Sequence, residues 1–207
     1  MLDFLFNQYK NYPTHQIVLE LTAILFGLLS VWYAKKDNIW VFPTGIINTV
    51  IYVYLLYKWS LLGDMMINFY YVLMSIYGWY CWTRKKNDLI EFPISRISNY
   101  EKKLCILIFL ATVLFVVAVY IFFDKFTHWT SYVDTFVTGI FFVGMWLMAR
   151  RKIENWILWI IGDVISIPMY FVKGYSFTSI QYLIFTIIAI YGYLEWKKTL
   201  SKNTQIL

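Results

Sequence analysis

Residues Leu104–Phe123 read LCILIFLATVLFVVAVYIFF, 20 positions without one charged side chain. At a rise of about 1.5 Å per residue such a helix covers about 30 Å, the thickness of a bilayer's hydrocarbon core. Composition extends that reading to the whole chain. Of its 207 residues, 60% are hydrophobic and 14% charged, against roughly 45–50% and about 25% in soluble domains. A soluble fold of this length could not bury so much apolar surface, so lipid is the solvent for much of it.

Three further apolar runs lie on each side of this central one. Ile17–Ala34, Trp40–Tyr57 and Leu61–Trp82 precede it; Val133–Ala149, Trp156–Val172 and Phe177–Trp196 follow it. Lys58–Ser60 and Lys173–Ser176 are tight connections, the second with Gly174 as turn residue, and the polar stretch Thr83–Lys103 is the longest link. The expectation is an all-α membrane protein of seven transmembrane helices. The first dozen residues lack the basic start, apolar stretch and small-residue cleavage site of a signal peptide, and are expected to lie at the interface as a short amphipathic lead-in.

The net charge of +6 would raise nucleic acid as a partner in a soluble protein; here it is a matter of topology. Alternate connections carry fourteen and four Lys and Arg residues. The rich set includes Lys35, Lys36, Arg84, Arg150, Arg151, Lys152, Lys197 and Lys198; the poor set is Lys10, Lys58, Lys125 and Lys173. By the positive-inside rule the N-terminus lies outside and the C-terminus in the cytoplasm.

The two flanks of the central run resemble each other. Ile76-Tyr77-Gly78 followed by Trp82 returns as Ile190-Tyr191-Gly192 followed by Trp196, a shift of 114 positions. At that shift Glu20 falls on Asp134 and Trp32 on Trp146. At 115, Asn48 meets Asp163 and Lys58 meets Lys173. The expected organisation of the single membrane domain 1–207 is therefore 3+1+3: repeat one over 17–82, a linker helix over 104–123 and repeat two over 133–196. One extra crossing makes the two triplets parallel, a transporter architecture with its site between the repeats.

Polar groups in mid-span are costly and face a cavity or another helix. Trp156, Trp159 and Asp163 follow W-x-x-W-x-x-x-D, offsets of three and four that place them on one helix face. Indoles beside a carboxylate suit a flat cationic ligand, through stacking, cation–π attraction and a countercharge. The alternative is an interfacial Trp pair with Asp163 hydrogen-bonded between helices. Asn48, Asn68 and Gln181, the last beside Tyr182, offer paired donors and acceptors for sugar hydroxyls or a carboxamide, or equally bonds between helices. Glu20 and Asp134, near outer ends, read as paired repeat features or vestibule groups.

Several chemistries are unsupported. His15 and His128 lie outside the expected spans, which disfavours haem ligation. No Lys occupies a mid-span position, and Cys81 and Cys105 form no disulfide or metal pattern. No P-loop, nucleophile elbow or zinc motif occurs, so no cofactor, no metal and no enzymatic activity are expected.

The motif of Trp156, Trp159 and Asp163, preceded by Arg150-Arg151-Lys152-Ile153-Glu154-Asn155, resembles the PnuC family of vitamin transporters. The likeness extends to Leu19-Glu20, Gly27, Ser30-Val31-Trp32 and Ile76-Tyr77-Gly78-Trp79-Tyr80, and spans all seven runs. It implies a full-length relative of the sugar-transporting SWEETs in a bacterial cytoplasmic membrane. The implied substrate is nicotinamide riboside, with thiamine or riboflavin carried by relatives. The implied mechanism is facilitated diffusion, with uptake maintained by a cytosolic kinase, and family members often associate as trimers, so a homotrimer is an expected assembly. Asp163 stands where some members have Asn, and Asn68 where others have Gln. A seven-helix receptor or a small-sugar carrier are readings from other classes; short cytoplasmic loops disfavour the receptor.

Overall fold

The computed structural model describes residues 13–58, 62–86, 89–124, 126, 128–172 and 176–205. The expected lead-in before Tyr12 and the turn at Gly174 lie outside them. Seven α-helices appear among the described residues: α1 Thr14–Lys35, α2 Val41–Lys58, α3 Leu62–Thr83, α4 Asn99–Phe122, α5 Trp129–Ala149, α6 Glu154–Val172 and α7 Ser176–Gln205. Five of them, α1, α2, α4, α5 and α6, are long and apolar enough to cross a membrane.

Helix ends depart from the hydropathy reading where capping, not hydropathy, decides them. α4 starts at Asn99 instead of Leu104 because Ser98 and Glu101 form a capping box that satisfies two orphan N–H groups. α5 starts at Trp129, where the His128 side chain accepts from the Thr130 N–H. His15 falls within the first turn of α1, since Pro13 tolerates a helix start. α7 runs nine residues beyond Trp196; its last turns are polar, and a helix needs no lipid once its backbone bonds are internal. The long link also holds a two-stranded hairpin, β1 Lys85–Lys86 and β2 Leu89–Ile90, in antiparallel register.

Contacts order six helices into a closed ring, α1–α2–α3–α5–α6–α7 and back to α1. α4 lies outside that ring, mainly against α5. Its outer face exposes Leu107, Leu114 and Phe122 at 65%, 70% and 81%, a surface for lipid rather than water. α5 is the most enclosed helix.

Many contacts recur at a shift of 114 residues. α1 and α5 both end in a Schellman turn: Asn38 N–H donates to Tyr33 O (3.0 Å) and Asp37 N–H to Ala34 O (3.0 Å); Lys152 N–H donates to Leu147 O (2.9 Å) and Arg151 N–H to Met148 O (2.9 Å). Glycine is the usual residue at the left-handed position of this turn, yet Asp37 (φ 51°) and Arg151 (φ 54°) occupy it. These two equivalent residues form an ion pair at 2.9 Å, an interaction that offsets the backbone cost. Burial pushes the Asp37 carboxyl above its ordinary value, against the pull of the Arg151 guanidinium, and lowers Arg151 below its own.

The indoles repeat the pattern across the ring. Trp82 Nε1 donates to Met148 O (3.2 Å), and Trp196 Nε1 donates to Ala34 O (3.1 Å). Each of them therefore caps the other triplet's first helix. Within each triplet, Trp82 meets Phe42 edge-on at 5.0 Å, and Trp196 meets Trp156 edge-on at 5.5 Å. A Cβ on Gly78 would collide with Phe42, and one on Gly192 would lie 2.6 Å from Trp156. The same register holds deeper: Asn48 lies over Gly27, while Phe141 lies over Gly162. Asn48 thus corresponds to Gly162 and Asp163 to Thr49, a correction to the pairing at 115. Large and small residues have exchanged helices at this level, so matching polar residues alone slips the register by one.

The stretch after β2 pins the basic end of the ring. Ser95 bridges the turn between α5 and α6, with Ser95 N–H donating to Arg151 O (3.1 Å) and Ile153 N–H to Ser95 O (3.0 Å). Glu101 pairs with Lys152 at 3.0 Å and Arg150 at 3.5 Å, tying α4 to the same turn.

Candidate functional site

The ring encloses a cavity of about 900 Å³. Phe42, Trp156, Ala34 and Met148 line its floor at the basic end; Asp64, Ser131 and Thr178 line it toward the other end. All seven residues singled out from sequence, Trp156, Trp159, Asp163, Asn48, Asn68, Gln181 and Tyr182, face this one space.

Helix α6 supplies the most ordered wall. Trp156, Trp159, Asp163, Ser166 and Tyr170 all line the cavity, and their spacing of three and four keeps them on one face. Their environments differ. Trp156 is 1% exposed and clamped between Gly192 and Trp196, so it forms floor as much as binding surface. Trp159 leans on Gly144, whose missing Cβ would lie 3.5 Å from the indole. Its ring stacks on Phe141 at 5.3 Å; Phe141 stacks on Tyr182 at 6.1 Å, and Tyr182 on Tyr170 at 5.2 Å. A column of four rings therefore borders the cavity. Phe141 and Tyr170 were not singled out from sequence, because an apolar aromatic in an apolar run has no distinguishing signal.

Asp163 is 3% exposed, and no hydrogen bond or ion pair reaches it among the described residues. A lone buried carboxylate is expensive unless a partner or a ligand compensates it. The amides are more committed. Asn48 Nδ2 donates to Ala23 O at 2.7 Å, joining α1 to α2, and Asn68 Nδ2 donates to Asp64 O at 3.0 Å along α3. Among the described residues nothing donates to either carbonyl oxygen, which leaves both for a ligand donor. The alternative of a bond between helices thus holds for the Asn48 amide nitrogen, whereas Asn68 bonds within its own helix.

Four carboxylates line the cavity, from Glu20, Asp64, Asp134 and Asp163, and no described Lys, Arg or His does. Asp134 accepts a hydrogen bond from Tyr120, which joins α4 to α5. Ionised, such carboxylates favour a cation and oppose a phosphate. The walls also differ in chemistry at positions related by 114. Trp159, Asp163 and Tyr182 face the cavity from the second triplet where Gly45, Thr49 and Asn68 face it from the first. One side stacks and carries charge; the other is small and hydrogen-bonding.

Comparison with known proteins gives concordant results. A family model described as nicotinamide mononucleotide transporter matches residues 17–198. The chain is 25% identical over 205 residues to the nicotinamide riboside transporter PnuC of Escherichia coli K12, covering 86% of this chain and 84% of that one. It is 22% identical over 188 residues to the riboflavin/roseoflavin transporter RibM of Streptomyces davaonensis, covering 89% and 87%. A crystal structure of the vitamin B3 transporter PnuC superposes with a TM-score of 0.66 at 23% identity, over 89% of this chain and 82% of that chain. The last likeness concerns the fold.

Proposed function

The chain belongs to the nicotinamide mononucleotide transporter family, a family of membrane transporters and not enzymes, and on that premise we propose that it carries nicotinamide riboside across the bacterial cytoplasmic membrane by facilitated diffusion. The observation that carries the choice of substrate is Asp163: a buried carboxylate without a hydrogen-bond or ion-pair partner among the described residues, four residues from Trp159, in a cavity that no described basic side chain lines. Nicotinamide riboside has a permanently cationic flat ring for that pair, a carboxamide, and ribose hydroxyls for Asn48, Asn68 and Gln181. The mononucleotide adds a phosphate, which the four carboxylates repel.

Thiamine, also cationic, is the second reading, and riboflavin the third. The relationship to RibM favours the latter, as does the four-ring column; its neutral ring system, however, leaves Asp163 uncompensated. For any of the three, phosphorylation by a cytosolic kinase maintains net uptake in this proposal.

The topology belongs to the same reading. Triplets 17–82 and 133–196 are parallel repeats joined by the linker over 104–123, with the N-terminus outside and the C-terminus in the cytoplasm. The reciprocal caps of Trp82 and Trp196 support this, as does the split of basic residues. A homotrimer would bury part of the apolar outer face. Proteoliposomes containing the protein should equilibrate labelled nicotinamide riboside without an ion gradient. Concentrative uptake driven by a proton or sodium gradient refutes facilitated diffusion.

A further inference from the structure

Ser166 has a hydroxyl that no described residue uses. It is 0% exposed, lines the cavity, and its Oγ has no hydrogen-bond partner among the described residues. A helical hydroxyl can bond back to the carbonyl four residues earlier. Thr22, Thr44, Thr49, Thr135 and Thr186 all do so here, at 2.6–2.9 Å. Ser30 and Ser179 instead reach carbonyls on neighbouring helices, at 2.8 and 2.9 Å. An unsatisfied buried hydroxyl costs stability, so its retention on the cavity wall calls for a partner that comes and goes.

Position on α6 suggests the part of the ligand it would meet. Ser166 lies seven residues beyond Trp159, about 10 Å further along the helix at a rise of about 1.5 Å per residue. A ring stacked on Trp159 with its carboxamide toward the floor would point its pentose along α6 toward Ser166. Gln181 and Tyr182 border the same cavity from α7.

We propose that Ser166 is a specificity residue that hydrogen-bonds the sugar hydroxyls of a nucleoside-like substrate and so distinguishes the riboside from its bare cationic ring. The inference rests on the site reading given above for Trp159 and Asp163. It separates the two functions of the wall: ring and charge are read at Trp159 and Asp163, the polyol at Ser166.

The test compares nicotinamide riboside with 1-methylnicotinamide, which keeps the cationic ring and lacks the sugar, by calorimetric titration of wild type, Ser166→Ala and Trp159→Ala, with melting curves of the ligand-free proteins. Ser166→Ala should weaken riboside binding about fivefold, the worth of one neutral hydrogen bond. It should leave 1-methylnicotinamide unaffected. The ligand-free variant should melt no lower than wild type, because an unsatisfied group has been removed. Unchanged riboside affinity, an equal loss for both ligands, or a lowered melting temperature overturns the assignment. Trp159→Ala keeps the two failures apart: if it weakens both ligands while Ser166→Ala weakens neither, the site reading stands and the Ser166 proposal falls. If wild type binds no riboside, both fall.

Discussion

Replacing Asp163 by Asn keeps the size and shape of a side chain that is 3% exposed and deletes its charge. The carboxylate lies four residues from Trp159, about 6 Å along the helix axis. A cationic ring stacked on that indole therefore sits about 6 Å from it. At an effective dielectric constant of about 20 the attraction is about 3 kcal/mol, or roughly a hundredfold in affinity. Desolvation of the ring offsets part of that, so a loss of about ten- to a hundredfold is expected. Reduced nicotinamide riboside, with an uncharged dihydropyridine ring, should bind wild type and Asp163→Asn within about threefold of each other. The ligand-free variant should melt at the wild-type temperature or higher, since an uncompensated buried charge is gone. Titration calorimetry with both ligands, alongside melting curves, is the assay. Equal losses for the charged and the uncharged ligand, with a lower melting temperature, would refute the reasoning and make Asp163 a packing residue.

Two further outcomes follow from the same geometry. Gly162→Ala places a Cβ into the Phe141 ring, with ring atoms 2.8 and 2.9 Å away besides a closer one; overpacking should cost about 1–3 kcal/mol and loosen the stack beneath Trp159, read as a lower melting temperature and weaker binding. Gly144→Ala, with its nearest contact at 3.5 Å, is the control that should change little. For the topology, cysteines introduced near Lys58 and Lys173 should react with an impermeant maleimide outside intact cells, whereas labelling near Arg84 and Arg151 would reverse the orientation.

How far the sequence alone could be read depends on which physical signal each feature leaves. Long uncharged runs such as 104–123 locate helices because lipid demands them, yet Ser98, His128 and the polar end of α7 show that caps and backbone bonding set the ends. Asp163, Asn48, Asn68 and Gln181 stood out because polar groups are rare in mid-span, and each lines the cavity. Phe141, Tyr170 and Ser166 line it equally but resemble any aromatic or small residue of an apolar helix. The exchange of Gly27 and Asn48 for Phe141 and Gly162 is invisible without contacts, because it keeps a glycine against a larger side chain across a pair instead of identity at a position. The Asp37–Arg151 pair is similarly hidden: opposite charges at equivalent positions give no sequence match.

Selection of a cationic nucleoside over its phosphorylated form is the property on which the proposed function turns. Calorimetric titration of the purified wild-type protein with nicotinamide riboside and with nicotinamide mononucleotide tests it most directly. The riboside should bind saturably and the mononucleotide at least tenfold more weakly, since a phosphate would face Glu20, Asp64, Asp134 and Asp163 with no described basic side chain in the wall. Mononucleotide binding as tight as the riboside's, or no binding of the riboside at all, would contradict it.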